Sequence, residues 1–208
     1  GIDTTGSVTT KSRSDVNIIM NVNPDTKKIL LTTTPRDYYV TIPGISGERR
    51  DKLTHAGIYG VDRSMAALEN LYGVELSYYA KVNFTSLIKI VDALGGVDVE
   101  SEYAFSAGGY SFSEGINHLD GDAALAFSRE RYSFSDGDNQ RGKNQEAVLA
   151  AIIKKASSPA VLASANKILA SISKSVETNM TQDEMAQLIS MQLSDGGDWD
   201  VESQAASG

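Results

Sequence analysis

The chain has 208 residues, of which 41% are hydrophobic and 22% charged, a composition typical of one globular domain or at most two small ones. Its formal net charge of −8 argues against nucleic acid as the main partner, and the absence of cysteine excludes disulfides and thiolate metal sites. With only two histidines, any divalent metal would be held by carboxylates, which suits Mg²⁺ or Mn²⁺, and no apolar stretch approaches the roughly 18 residues of a membrane span.

The first half of the chain alternates between strand and helix patterns. Strands are predicted where short β-prone apolar runs occur, at residues 16–22, 29–33, 38–42, 77–82 and 97–100. Helices are predicted at residues 62–72 and 84–94, where apolar side chains recur at helical spacing and glycine follows the last turn. This alternation predicts an α/β fold, a layered domain with a central mixed β-sheet flanked by helices.

The second half is predicted to be mainly helical. Its helices are expected at residues 120–127, 139–156, 161–173 and 182–193. Thr181 and Glu184 have the spacing of a capping box, and the polar tail after Gly196 and Gly197 predicts either a terminal strand or a frayed end. Because no repeat or linker divides the chain, residues 1–208 are interpreted as one domain.

The arginines are unevenly distributed along this acidic chain. Arg129, Arg131 and Arg141 fall close together, and no arginine follows Arg141. A local cationic site in an acidic protein favours a small anionic ligand over a long polyanion such as nucleic acid.

Arg129 and Arg131 are separated by one residue, so their geometry depends on the backbone. Side chains two positions apart point about 200° apart on a helix, whereas on a strand they lie on the same face. If both serve one ligand, the helix must end near Ser128 and the chain must then run extended. Two solvated surface arginines are the alternative.

Asp138, Arg141 and Gln145 have the spacing of one stripe on a helix. One interpretation is structural, with Asp138 at or near the N-cap and paired with Arg141. The other is functional, with Arg141 and Gln145 facing a ligand and Asp138 orienting an arginine or accepting a proton.

Residues 137–143 match GxxxxGK, the first seven positions of a phosphate-binding P-loop. The eighth position is Asn144, where a P-loop requires Ser or Thr as a Mg²⁺ ligand, and the preceding segment is not an apolar strand. A nucleotide P-loop is therefore rejected.

Two early aspartates and one further arginine complete the candidate residues. Asp3 and Asp15 flank a loop rich in serine and threonine, and two carboxylates so placed can hold one hard cation, although solvated loop acids are commoner. Arg36 follows the predicted strand 29–33, and strand ends of open α/β sheets are where ligands bind.

Taken in order, these motifs resemble the LytR–CpsA–Psr family. The matching segments are Gly-x-Asp at 1–3, Arg-Ser-Asp at 13–15, Pro-Arg-Asp at 35–37, Lys-Leu-Thr-His-Ala at 52–56, Val-Asp-Ala-Leu-Gly-Gly-Val at 91–97, Leu-Asp-Gly at 119–121, Ala-Leu-Ala-Phe-Ser-Arg-x-Arg at 124–131 and Asp-x-x-Arg-x-x-x-Gln at 138–145. The resemblance extends from residue 1 to about residue 150, and within the family it is greatest to streptococcal capsule-associated members.

The resemblance implies a phosphotransferase of cell wall biogenesis. Such proteins move a glycopolymer, capsular polysaccharide or teichoic acid, from a polyprenyl-pyrophosphate carrier to peptidoglycan with the help of Mg²⁺. They are anchored at the extracellular face of the membrane of mainly Gram-positive bacteria by an N-terminal helix, expected upstream of Gly1, and the first strand is expected to be truncated here. The isoprenoid tail would lie in an apolar tunnel. The helices at 84–94, 147–153 and 161–172 either form the wall of this tunnel or belong to the ordinary apolar core.

The resemblance also implies roles for individual residues. Asp3 and Asp15 would hold the metal, and Asp138 would accept the proton of the acceptor hydroxyl or orient an arginine. The residues expected to bind the substrate phosphates are Arg13, Arg36, Lys52, Arg129, Arg131, Arg141 and Gln145, with the arginines other than Arg13 also acting in catalysis by stabilising charge. His55 is interpreted as structural, because no carboxylate partner is evident in the sequence. His118 is given no role.

Three alternatives remain open at this stage. A polyprenyl-pyrophosphate pyrophosphatase would use the same site with water as the acceptor. A lipid carrier would bind without turnover. A regulatory, transcriptional module is disfavoured by the negative net charge and by the lack of a basic helix.

Overall fold

The computed structural model describes residues 1–2, 5, 7–47, 49–134 and 137–206, with the backbone alone at residues 138 and 139. Its strands are β1 Asn17–Asn23, β2 Lys28–Thr34, β3 Tyr39–Thr41, β4 Arg50–Lys52, β5 Ala80–Lys81, β6 Val97–Ser101, β7 Phe105–Ala107, β8 Tyr110–Phe112, β9 Gly115–Leu119, β10 Glu177–Thr178 and β11 Asp200–Ala205. Its helices are α1 Leu53–Ala56, α2 Val61–Tyr72, α3 Phe84–Ala93, α4 Gly121–Arg129, α5 Gly137–Ala156, α6 Pro159–Leu162, α7 Ala165–Ile172 and α8 Gln182–Asp195, with a 3₁₀ turn at Gly57–Tyr59. None of the helices in this described part has both the length and the apolar character that a bilayer span requires.

The largest described sheet is mixed and has the order β1-β2-β11. β1 and β2 form an antiparallel hairpin that places Asn17 opposite Thr34, while β11 runs parallel to β2 with Val201 opposite Ile29. Four antiparallel strand pairs, β3-β4, β5-β10, β6-β9 and β7-β8, surround it. The predicted α/β class is confirmed, and the tail after Gly197 forms a strand.

A second set of backbone hydrogen bonds aligns segments outside the named strands. Ile2 is bridged to Ser14 and donates its N–H to the Val82 carbonyl at 3.0 Å. Ser14 in turn donates to the Thr54 carbonyl at 3.1 Å, and Thr54 donates to the Arg36 carbonyl at 2.8 Å. Five separate stretches of chain are thereby linked, and the last of them, at Val82, directly precedes α3.

The main apolar core lies between helices α3, α4 and α5 and the pair β6-β9. Phe127, Val91, Val97 and Val99 are fully buried there. A second cluster, which includes Ile42, Leu53 and Leu68, lies under β3, α1 and α2. The described helices thus contribute to two separate apolar clusters.

The contact between α3 and α4 needs a glycine. A Cβ at Gly121 would lie 2.5 Å from the Ile88 carbonyl oxygen, and the Gly121 N–H donates to Asp92 at 2.9 Å. The N-terminal end of α4 is thus fixed on α3, which determines where Arg129 emerges at its other end.

Two predicted elements were wrong in extent. The helix predicted at 161–173 is two helices, because Ser164 has a non-helical backbone (φ −113°, ψ 10°) from which α7 starts again. The strand predicted at 77–82 shrinks to Ala80–Lys81. Its first part bonds to the side chain of Asn179 instead, which accepts from the Tyr79 N–H and donates to the Ser77 carbonyl.

The capping box predicted at α8 is confirmed and leads to a pH-dependent expectation. The Tyr78 hydroxyl, and after it the backbone and side chain of Thr181, lower the pKa of Glu184 from its usual 4.5 to about 2. Because the folded pKa is depressed, this stabilisation is present above pH 4.5 and is lost as the pH falls towards 2. We expect Glu184→Gln to lower Tm at pH 7 and to converge with the wild type near pH 2, measured by circular dichroism.

Glu75, an exposed glutamate, provides the matched control. Glu75→Gln should leave the pH dependence of Tm unchanged. A Glu184→Gln variant whose Tm difference from the wild type stays constant from pH 7 to pH 2 would contradict the expectation.

Candidate active site

A polar cavity of about 260 Å³ opens where the aligned segments meet. Its lining consists of Arg13, Asp15, Arg36, Asp37, Lys52, Thr54 and His55. Three guanidinium or ammonium groups and two carboxylates thus share one small volume. Four of the predicted site residues, Arg13, Asp15, Arg36 and Lys52, are brought together here.

The backbone explains why these side chains converge. The hydrogen bonds from Ser14 to Thr54 and from Thr54 to Arg36 place three loop ends in register. Gly57 allows the closest approach, because a Cβ there would lie 2.6 Å from the Ser12 carbonyl oxygen and 2.8 Å from the Ser14 nitrogen. The glycine therefore lets the loop that carries Arg13 and Asp15 lie directly on the start of the 3₁₀ turn.

A chain of ion pairs links the charged groups in the cavity. Arg36 Nη1 lies 3.0 Å from Asp15 Oδ1, and Arg36 Nε lies 3.7 Å from Asp37 Oδ2. Lys52 Nζ lies 2.7 Å from Asp37 Oδ1, and this hydrogen bond is the main cause that lowers the pKa of Asp37. Arg36 is therefore held between two carboxylates, with its guanidinium at the centre of the site.

Two hydroxyls beside these charges are buried. Among the described residues, neither Ser14 Oγ nor Thr54 Oγ1 has a hydrogen-bond partner, and Thr54 lines the cavity. Leaving a buried hydroxyl unpaired costs about 1–3 kcal/mol, so such groups are usually satisfied by a protein atom, water or ligand. A ligand bound in the cavity is one partner that would satisfy the Thr54 hydroxyl.

His55 does have a carboxylate partner, which the sequence interpretation missed. Its Nδ1 lies 2.8 Å from Asp51 Oδ1, and the imidazole lines the same cavity as Arg36. The available signal was the four-residue spacing of Asp51 and His55, which joins β4 to the first turn of α1.

Arg129 and Arg131 lie outside the lining of this cavity, at the end of α4. The helix ends at Arg129, and Glu130 has an extended backbone (φ −66°, ψ 134°), close to the predicted boundary at Ser128. Arg129 stacks over the Phe84 ring at 4.3 Å, whereas Arg131 stacks over Tyr132 at 4.7 Å. Phe84, which Arg129 covers, lies two residues after Val82, whose carbonyl accepts from the Ile2 N–H.

Arg141 and Gln145 are on α5, which packs closely against the chain at Arg131. A Cβ at Gly137 would clash with the Arg131 carbonyl oxygen, and Asn144 donates to the Phe127 carbonyl at 3.2 Å. Residues 137–143 are helical throughout, so the rejection of a P-loop at this motif is confirmed. The side chain of Asp138 lies outside the described residues.

The predicted metal ligands are only partly described. Asp3 lies outside the described residues, and Asp15 lines the cavity. Within the described ranges no group of three or more histidine, aspartate or glutamate side chains is placed to hold a metal ion.

The three helices predicted near a lipid tail pack on one apolar cluster. Val91 of α3 and Val148 of α5 are buried in it, and Val161 and Ile168 of α6 and α7 pack against it half-buried. A separate cavity of about 550 Å³ lies between α6–α7 and α8 and contains none of the predicted site residues.

With the geometry described, comparison with known proteins decides the family. The model of the LytR_cpsA_psr family matches residues 1–205. The chain belongs to this family. The predicted family is thus confirmed.

Named relatives add detail. The chain is 41% identical over 176 residues to the polyisoprenyl-teichoic acid–peptidoglycan teichoic acid transferase TagU of Bacillus mycoides (strain KBAB4), covering 84% of this chain and 57% of that protein. It superimposes on TagV of B. subtilis with a TM-score of 0.83 at 28% identity, covering 97% of this chain and 81% of TagV. It superimposes on TagT bound to LIIa-WTA with a TM-score of 0.76 at 30% identity, covering 94% and 74%. The chain therefore spans a little over half the length of the TagU it matches.

Proposed function

We propose that this chain is the catalytic part of a phosphotransferase that moves a glycopolymer from a polyprenyl-pyrophosphate carrier to peptidoglycan. The observation that carries the proposal is the cavity in which Arg13, Arg36 and Lys52 converge beside Asp15. Forked guanidinium donors and an ammonium group fit phosphate oxygens. The TagU relative is named for transfer of teichoic acid to peptidoglycan, and a TagT structure contains LIIa-WTA, which supports this class of substrate.

The proposed reaction is a single displacement at phosphorus. A peptidoglycan hydroxyl attacks the phosphorus that carries the glycan, and a new P–O bond forms there. The bond from that phosphorus to the bridging oxygen breaks, so polyprenyl phosphate leaves with the electron pair. Arg36 and Lys52 would stabilise the charge that develops on the phosphoryl and leaving oxygens, and Thr54 would donate its unpaired hydroxyl.

Magnesium belongs to the proposal as a partner of the substrate phosphates. Mg²⁺ is often held by one or two carboxylates together with phosphate oxygens and water, and Asp15 supplies one carboxylate in the cavity. Asp15 and Asp3 would hold it. When bound, the ion neutralises charge on the pyrophosphate, and Mn²⁺ is a chemically acceptable replacement.

The remaining predicted residues are assigned to the glycan side of the site. Arg129 and Arg131 at the end of α4, with Arg141 and Gln145 on α5, would hold the second phosphate or the acceptor, since Gly137 packs α5 against the Arg131 carbonyl. The isoprenoid tail would run along the half-buried apolar side chains of α3, α5 and α7, of which Leu87, Ile152 and Ile168 are examples.

We further propose that the full-length protein works at the extracellular face of the membrane of a Gram-positive bacterium, held by an upstream anchor. Teichoic acid and capsular polysaccharide are both acceptable polymers for the site described. Nucleic acid is not an expected partner, given the net charge of −8.

The proposal is tested with a synthetic polyprenyl-pyrophosphoryl disaccharide as donor and peptidoglycan oligomers as acceptor. We expect a glycan–peptidoglycan phosphodiester and polyprenyl phosphate in equal amounts, measured by mass spectrometry. Release of glycan phosphate to water alone would make the protein a pyrophosphatase. Binding of the donor without cleavage would make it a carrier.

Asp15→Asn tests the metal role. We expect this variant to need a higher Mg²⁺ concentration for half-maximal transfer, because one carboxylate ligand is lost. The measurement is a Mg²⁺ titration of transfer rate after chelator treatment. Asp122→Asn, on the first turn of α4 and outside the cavity lining, is the control. Activity indifferent to chelator would contradict the metal role.

A further inference from the structure

The pair formed by Asp51 and His55 has the geometry of a proton-transfer dyad. His55 Nδ1 lies 2.8 Å from Asp51 Oδ1, and the imidazole lines the cavity that contains Arg36 and Lys52. Within the described part of the chain, no protein group bonds to the other ring nitrogen, Nε2.

The tautomer of His55 follows from its partner. The backbone N–H of Lys52, at 2.7 Å, and then His55 lower the pKa of Asp51, so this carboxylate is ionised at neutral pH. An ionised carboxylate can only accept a hydrogen bond, so in the neutral ring Nδ1 carries the proton and Nε2 the lone pair. A nitrogen with a lone pair can accept a proton, and His55 lines the cavity.

We propose that His55 is the catalytic base of the transfer reaction and that Asp51 is its positioning residue. This inference rests on the proposed function. As the acceptor hydroxyl bonds to phosphorus, its proton passes to His55 Nε2, while the electron pair of the broken P–O bond leaves with polyprenyl phosphate. The Asp51 carboxylate stabilises the resulting imidazolium, which then returns the proton to solvent.

The chain contains a matched control for this dyad. His118 Nδ1 lies 2.7 Å from Asp98 Oδ1 across the β6-β9 pair, so its chemistry is the same. His118 does not line the cavity, and both side chains of that pair are more than half exposed. A variant at His118 therefore makes the same chemical change at a histidine–aspartate pair that lies outside the cavity lining.

The test compares His55→Asn with His118→Asn. Asparagine places an amide N–H near the position of Nδ1, so it keeps the hydrogen bond to aspartate but has nothing in place of Nε2. With the synthetic donor and peptidoglycan oligomers, we expect His55→Asn to lower kcat about 100-fold or more, the usual contribution of a general base. Donor affinity, measured by calorimetry, and Tm should be little changed. His118→Asn should match the wild type.

The pH dependence of kcat distinguishes a catalytic base from a structural histidine, because only a catalytic base should affect it. The groups that face the imidazole are Asp51 and the cavity residues Arg13, Asp15, Arg36, Asp37 and Lys52. Of these side-chain types only imidazole ordinarily changes charge between about pH 5 and 8. Wild-type kcat should therefore decrease as the pH is lowered through that range, whereas the residual kcat of His55→Asn should not. Asp51→Asn should have a lower kcat than the wild type but should still lose activity at acidic pH.

The outcomes separate the two proposals. If the wild type cleaves the pyrophosphate bond neither onto peptidoglycan nor onto water, the proposed function is wrong and the role of His55 with it. If the wild type transfers the glycan and His55→Asn keeps both its rate and its acidic fall in kcat, the phosphotransferase stands and the dyad assignment is overturned.

Discussion

Replacing Arg36 by alanine is expected to lower kcat/KM for glycan transfer about 1,000-fold, the upper range for losing a preorganised charge-stabilising donor. The guanidinium lies between Asp15, at 3.0 Å, and Asp37, at 3.7 Å. Without the guanidinium, the substrate phosphates lose their central hydrogen-bond donor, and the two carboxylates that remain repel the phosphates. Steady-state kinetics with the synthetic donor measures the loss.

Arg36→Lys and Arg49→Ala complete the series. Lysine keeps the charge but not the fork that bridges two carboxylates, so we expect an intermediate loss. Arg49 is exposed and does not line the cavity, so its replacement should leave kcat/KM unchanged. If Arg36→Ala and Arg49→Ala have the same donor affinity and the same turnover, Arg36 is not a phosphate ligand.

Replacing Gly57 by alanine is expected to weaken both folding and donor binding. The backbone at Gly57 (φ −61°, ψ −27°) suits alanine, so the whole effect is steric. The new methyl would stand 2.6 Å from the Ser12 carbonyl oxygen, and overpacking of this kind costs about 1–3 kcal/mol. Because the displaced loop carries Arg13 and Asp15, donor affinity should fall together with the free energy of unfolding.

Gly142→Ala is the same substitution at a position where we expect alanine to stabilise the fold. Gly142 lies inside α5, and among the described residues no atom other than those of its chain neighbours and the nearby backbone of its own helix lies within 4 Å of a Cβ built there. Gly142→Ala should raise the free energy of unfolding by up to about 1 kcal/mol, the helix preference of alanine over glycine. Urea unfolding of both variants measures the difference. Equal stability of Gly57→Ala and wild type would show that the loop does not lie on the 3₁₀ turn as described.

Local patterns predicted much of the fold. The hairpin β1-β2, the helices α2, α3 and α5 and the cap at Thr181 follow from periodicity and end signals, which act over a few residues. The hairpin β7-β8, the strand β9 and the break at Ser164 were missed. The strand β9 depends on β6, a partner distant in sequence, and the break at Ser164 depends on a single backbone angle, neither of which a local window records. The hairpin β7-β8 is local, and its signal was the pair Gly108 and Gly109, which have positive φ in the turn.

The candidate site was predictable in composition but not in arrangement. Arg13, Asp15, Arg36 and Lys52 were identified beforehand, and they do share one cavity. Their neighbours depend on hydrogen bonds between remote segments, such as that from Ser14 to Thr54. Arg129 and Arg141 do not line that cavity, so the role of the second group of arginines in holding the substrate stays a prediction.

The central claim is that the cavity around Arg36 binds the pyrophosphate of a lipid-linked glycan. A crystal structure of the protein with the synthetic polyprenyl-pyrophosphoryl disaccharide tests it most directly. We expect at least one phosphate within hydrogen-bonding distance of Arg36 and in the cavity lined by Asp15, Lys52 and His55. A bound donor whose phosphates lie elsewhere, with Arg36 still paired to Asp15 and Asp37, would contradict the claim.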